Sequence, residues 1–151
     1  MPMIDTLKQQ HQELSQLIRQ LDVAVERGEQ AGMLATLSQL SQTLQIHMEL
    51  EHRKLYPAVA CAAEARGDEK MLETAYLFFN NMHRITDALQ DFMFRHEADF
   101  HLERFRTCWR TFSSVLTRRI EAEERMLYPL YARRLLVSDP SFISESPSLA
   151  S

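Results

Sequence analysis

His47-Met48-Glu49-Leu50-Glu51-His52-Arg53-Lys54-Leu55-Tyr56-Pro57 and Arg119-Ile120-Glu121-Ala122-Glu123-Glu124-Arg125-Met126-Leu127-Tyr128-Pro129 are two versions of one pattern. Six of the eleven positions are identical: the Glu pairs 49/121 and 51/123, the Arg pair 53/125, and Leu-Tyr-Pro at the end. In each copy the first residue and a Glu stand four apart, which puts both on one face of an α-helix. The repetition relates two helices of the chain, as in a bundle with internal two-fold character.

The spacing outside the pattern agrees. His11, His47, His83 and Arg119 follow one another at intervals of 36 residues. An antiparallel hairpin brings two residues to one height when its turn lies halfway between them, here at 29, 65 and 101. Turn-like residues occur at those places: Gly28-Glu29, Arg66-Gly67, and Glu97-Ala98-Asp99-Phe100-His101. The chain is therefore predicted to be all-α, an up-down-up-down antiparallel four-helix bundle. A 36-residue period also suits a helical solenoid. Segments compared at that offset share little beyond their apolar seam, however, and such repeats keep apolar residues where this chain has His.

Each predicted helix has a seam of residues three and four apart. The first reads Ile4, Leu7, His11, Leu14, Ile18, Leu21, Val25 and closes at Gly28. The second reads Leu37, Leu40, Leu44, His47, Glu51, Leu55, Ala58, with Pro57 expected to kink it on the way to 66–67. The third, N-capped by Asp68, reads Met71, Ala75, Phe78, Met82, Ile85, Leu89, Phe92, with His83 at its edge. The fourth, with Asp99 as its cap candidate, reads Leu102, Phe105, Trp109, Phe112, Leu116, Arg119, Glu123, Met126, Leu130. The bundle is expected over residues 1–137. Residues 138–151, rich in Ser and Pro, have the composition of a disordered tail.

The 151 residues fit one domain with a real core. A formal net charge of −4 offers no basic field for nucleic acid or an anionic membrane. No apolar run approaches the roughly 20 residues that cross a bilayer, and the N-terminus does not read as a signal peptide. Cys61 and Cys108 lack metal or redox spacing and are expected near opposite ends, too far apart for a disulfide. The cytoplasm is the default location.

The interior level would gather His11, His47, His83, Glu51 and Glu123, with Arg119 beside them. Imidazoles mixed with carboxylates suit iron, manganese or zinc better than calcium or magnesium, which favour oxygen alone. Any one such histidine is by itself an ordinary hydrogen-bonded core residue. Three at one height, with two carboxylates that are costly to bury unpaired, favour a metal site. Arg119 keeps a second reading open, because it can pair with Glu51 or Glu123 and close a polar core without metal. His52 is expected in a groove or at the surface, His96 and His101 at the surface, and Glu121 and Glu124 on a solvated face. No nucleophile arrangement and no Gly-rich phosphate loop are present, so an enzyme is not expected.

These residues resemble the hemerythrin-like family, the HHE cation-binding domains. The matches are His11, then His47 to Glu51 with Leu55-Tyr56-Pro57, then His83, then Glu123 with Leu127-Tyr128-Pro129, within residues 4 to about 136. The resemblance implies a four-helix bundle with a non-haem diiron site that binds dioxygen, another diatomic ligand or a redox signal. The chain departs from the family pattern at Arg119, where the fourth helix carries a His. A second helix 3 histidine is also missing. The expectation is one iron in preference to two, in a sensor or carrier for oxygen, nitric oxide, redox state or iron. The alternative is a bundle with a degenerate metal centre that acts as an interaction or regulatory module. The sequence names no protein partner and no oligomeric state.

Overall fold

A computed structural model describes residues 2–138. Four antiparallel rods run α1 (Pro2–Arg27), then α2 (Gln30–Leu50) continued through a π turn (Glu51–Leu55) into α3 (Tyr56–Arg66). They go on with α4 (Glu69–Ala98), then α5 (Leu102–Ala122) continued through a second π turn (Glu123–Leu127) into α6 (Tyr128–Ser138). The all-α four-helix bundle read from the sequence is the fold, and its turns fall where the midpoints put them. Ser138 is the last residue of α6, and the rest of the Ser- and Pro-rich segment, 139–151, lies outside the described residues.

The turns are built from local chemistry. Gly67 ends α3 with φ 67°, a left-handed conformation that an L side chain resists. Asp68 then caps α4, its side chain accepting from the Met71 N–H at 3.0 Å. Asp99 does not cap the fourth rod as expected: it ends α4, while His101 precedes α5 without a side-chain cap bond.

Each π turn sits just before a proline. Pro57 and Pro129 have no N–H, and a proline ring crowds the carbonyl four residues back. The helix responds by widening for one turn. The Tyr56 N–H bonds to the Glu51 carbonyl and the Tyr128 N–H to that of Glu123, five residues back in both cases. The extra residue turns each tyrosine toward the face of the glutamate that opens its turn.

The interior has two apolar clusters. The upper one packs Leu14, Leu21, Leu37, Leu44, Met82, Leu89, Phe105, Trp109 and Leu116, and the lower one Leu7, Leu55, Val59, Met71, Phe78 and Leu127. The buried polar residues His11, His47, Glu51, Arg119 and Glu123 lie at the level between them. Cys61 and Cys108 are free and exposed. Among the described residues, no helix is long and apolar enough to cross a membrane.

Candidate metal centre

His11 takes a seam position of α1 between Leu7 and Leu14, both fully buried. His47 takes the equivalent place on α2, and Glu51 and Glu123 open the two π turns. One ligand atom from each of His11, His47, Glu51 and Glu123 lies within 4.8 Å of the others. The glutamates and His47 are wholly shielded from solvent, and His11 is 2% exposed. The four side chains therefore meet in the interior of the bundle, drawn from three rods.

Hydrogen bonds on the outer side of each imidazole fix which nitrogen faces inward. His11 Nδ1 lies 2.7 Å from Glu124 Oε2. A carboxylate can only accept, so Nδ1 carries the proton. His47 Nδ1 is anchored in the same manner to Gln10 Oε1 at 2.8 Å. Both Nε2 atoms then converge on carboxylate oxygens: His11 on Glu123 Oε1 at 2.8 Å, His47 on Glu123 Oε1 and Glu51 Oε2 at 3.2 Å each. Lone pairs and carboxylates at such distances need positive charge between them, either a proton or a cation. Two anchored imidazoles and two carboxylates converging in this way fit a transition-metal cation.

Taken as side chains alone, the cluster holds its charge through protons. Burial works to lower the His47 pKa, but the Glu51 and Glu123 carboxylates outweigh it and raise it to about 9. Burial, then the nearby Glu123 charge, raise the Glu51 carboxyl above the usual carboxylate range. Glu123 is buried just as deeply, yet hydrogen bonds from His11 and His47 and the charge of Arg119 hold it well below that range.

Arg119 is 5% exposed and highly bonded. Its Nε donates to Glu123 Oε2 at 2.7 Å and its Nη1 to Asn81 Oδ1 at 2.7 Å. Its Nη2 donates to the Tyr56 hydroxyl at 2.8 Å and the Phe78 carbonyl at 2.7 Å. The guanidinium carbon lies 4.6 Å from the centre of the Phe78 ring. Of the two pairings open to Arg119, the fold takes Glu123.

The tyrosines of the two Leu-Tyr-Pro triplets belong to this network. The Tyr56 hydroxyl donates to Glu51 Oε1 at 3.3 Å. The Tyr128 hydroxyl lies 3.0 Å from Glu51 Oε2, 3.2 Å from Glu123 Oε1 and 3.1 Å from His11 Nε2, with one proton to share among them. Burial and the carboxylates raise the pKa of both phenols, so they remain neutral donors. The signal available in the sequence was the proline one residue after each tyrosine, which imposes the π turn.

Four of the five sequence-predicted ligands thus come together, and His83 does not. It follows the buried Met82 by one residue, about 100° round the helix, and is exposed on α4. There its ring contacts those of His52 and Phe79 at 4.5 and 4.9 Å. Glu124, expected on a solvated face, is the outer anchor of His11 while remaining 41% exposed. His96, expected at the surface, is 2% exposed and packs against Phe92 and Phe105.

The model of the hemerythrin HHE cation-binding domain matches residues 2–131. This chain belongs to the hemerythrin HHE family. No curated protein and no solved structure is significantly similar to it. As an HHE domain it has a His/Glu cluster that could hold a cation, drawn from the first, second and fourth rods, with the third contributing no donor among the described residues.

Proposed function

We propose that this HHE domain holds non-haem iron, one ion in preference to two, between His11, His47, Glu51 and Glu123. In this reading it is a cytoplasmic sensor or carrier for oxygen, nitric oxide, redox state or iron itself, and not an enzyme. The observation that supports it best is the outward anchoring of both histidines, which leaves two Nε2 lone pairs aimed at two carboxylates. Iron bound there supplies a redox-active centre with affinity for small diatomic ligands. Gln10 and Glu124 set the tautomers and ring orientations, and the tyrosine hydroxyls donate to the carboxylates from below. The apolar clusters on either side exclude water.

Arg119 supports the count of one. It stands where the other copy has a ligand, and its permanent charge repels a second cation at close range. The same residue favours the runner-up reading, because its bond to Glu123 already satisfies one buried carboxylate. Elemental analysis and a visible spectrum of protein purified without chelator separate the two. About one iron per chain is the expected result. Two well-occupied irons in anomalous scattering would overturn the single-ion reading. Absence of metal, with a melting temperature indifferent to chelator, would favour the interaction module.

A further inference from the structure

Where the second and third rods pack together, two histidines that the central cluster leaves out stand against each other. The ring centres of His52 and His83 are 4.5 Å apart, with the planes tilted by 53°. Phe79 stacks on His52 at 4.5 Å and meets His83 edge-on at 4.9 Å. The Tyr56 ring lies 5.5 Å from His52 on another side. Both imidazoles are therefore held in place by rings and not by polar bonds.

Partners are what this pair lacks. His11 and His47 each have an oxygen against Nδ1, whereas neither His52 nor His83 is hydrogen-bonded to protein among the described residues. His52 Nε2 is shielded from solvent, which leaves Nδ1 as the nitrogen open to an incoming ion. His83 is exposed. Coordination needs one nitrogen from each ring. Two imidazoles that share an ion at ~2.0–2.1 Å hold their ring centres roughly 4.5–5.5 Å apart.

A third donor lies one turn above. Met48 precedes His52 by four residues, on the same helix face. Its sulfur reaches α4: Thr86 Oγ1, three residues after His83, donates to Met48 Sδ at 2.9 Å. An unbranched methionine side chain can swing to an ion beside it. No carboxylate is among the groups whose charge acts on His52, while Arg119 is one of them.

We propose that His52, His83 and Met48 bind one copper(I) ion at a site separate from the central cluster. Two imidazoles and a thioether bring no negative charge. They suit a soft monovalent ion better than iron(II) or zinc(II), whose double charge would stand unbalanced near Arg119. Tyr56 stands between the two sites, its ring against His52 and its hydroxyl on Glu51. The assignment is independent of what the central cluster holds.

The test uses the full chain with the exposed Cys61 and Cys108 capped by alkylation, because thiolates also take copper(I). Copper(I) is titrated anaerobically against a chromogenic chelator. One ion is expected that His83→Gln loses and His47→Gln keeps. His52→Phe, which preserves the ring stack, should lose it too. Met48→Leu, a volume-conserving swap, should weaken binding about tenfold and remove sulfur from the copper X-ray absorption spectrum. Zinc(II) should bind there at least about tenfold more weakly than copper(I). The copper-free melting temperature of His83→Gln should match the wild type, since His83 is exposed. Copper retained by His83→Gln, copper lost from His47→Gln alone, a wild-type spectrum without sulfur, or zinc(II) bound as tightly would each overturn the proposal.

Discussion

On the second rod His47 presents Nε2 to Glu51, and on the fourth Arg119 presents a guanidinium N–H to Glu123. Spacing, π turn, tyrosine and proline are the same in both copies. The difference is what the cation can give up. His47 can trade its proton for a metal, whereas Arg119 is charged permanently. One carboxylate is thus locked into an internal ion pair on one oxygen, while the other is pushed toward its protonated form. A duplicated scaffold has been made asymmetric by one side chain, and the site has a fixed half and an exchangeable half.

The largest effect should come from breaking the fixed half. Glu123→Ala leaves Arg119 buried without its counter-ion, and urea unfolding in chelator should show a loss of about 3–5 kcal/mol. Glu51→Gln, which removes a carboxylate already pushed toward neutrality, should cost clearly less. Equal losses would break the comparison.

The two halves should also respond to pH in opposite directions in chelator-treated protein. The folded pKa of His47 is raised from 6.5 to about 9. Its contribution is then fully present below pH 6.5 and is lost as pH rises through 9, a limb on the order of 3 kcal/mol. The folded pKa of Glu123 is depressed, so its contribution is present above pH 4.5 and is lost as pH falls. His47→Gln should flatten the alkaline limb and only shorten the acid one, which His11 and Arg119 still support. Unfolding free energies measured from about pH 2 to 9.5 check this.

The tyrosines should separate by a smaller margin. Tyr56 joins the halves, accepting from Arg119 and donating to Glu51, so Tyr56→Phe should cost about 1.5–3 kcal/mol. Tyr128→Phe should cost about 1 kcal/mol. The reverse order in thermal or urea unfolding would place the link elsewhere. Smallest is the change in metal count. Arg119→His restores symmetry and should raise bound iron toward two per chain by elemental analysis, at most a doubling.

The bundle was legible because its signals are redundant. The 36-residue spacing, the seams and the turn residues all specify the same four rods. His11, His47, Glu51 and Glu123 were legible as polar breaks in apolar seams. His83 was misplaced because height was read from spacing alone, while the residue that faces the interior on that turn is Met82. Glu124 and Gln10 could not be found by seam position, since an outer anchor sits beside the seam and depends on the rotation of a neighbouring rod. The tyrosines could not be placed from the seam for a related reason. A π turn shifts the helical phase by one residue, so a side chain five positions from Glu51 arrives on its face.

A cluster drawn from three rods also makes the molecule mechanically uneven. A cation at its centre would rivet the first, second and fourth rods together, and α4 would join them through apolar packing and side-chain bonds, among them those of Arg119 to Asn81 and the Phe78 carbonyl. Loading would then slow amide exchange on the three riveted helices, where opening must break a metal bond, while α4 keeps much of its freedom to breathe. The helix that donates nothing becomes the moving jaw, and Arg119 is the strap that sets how far it opens.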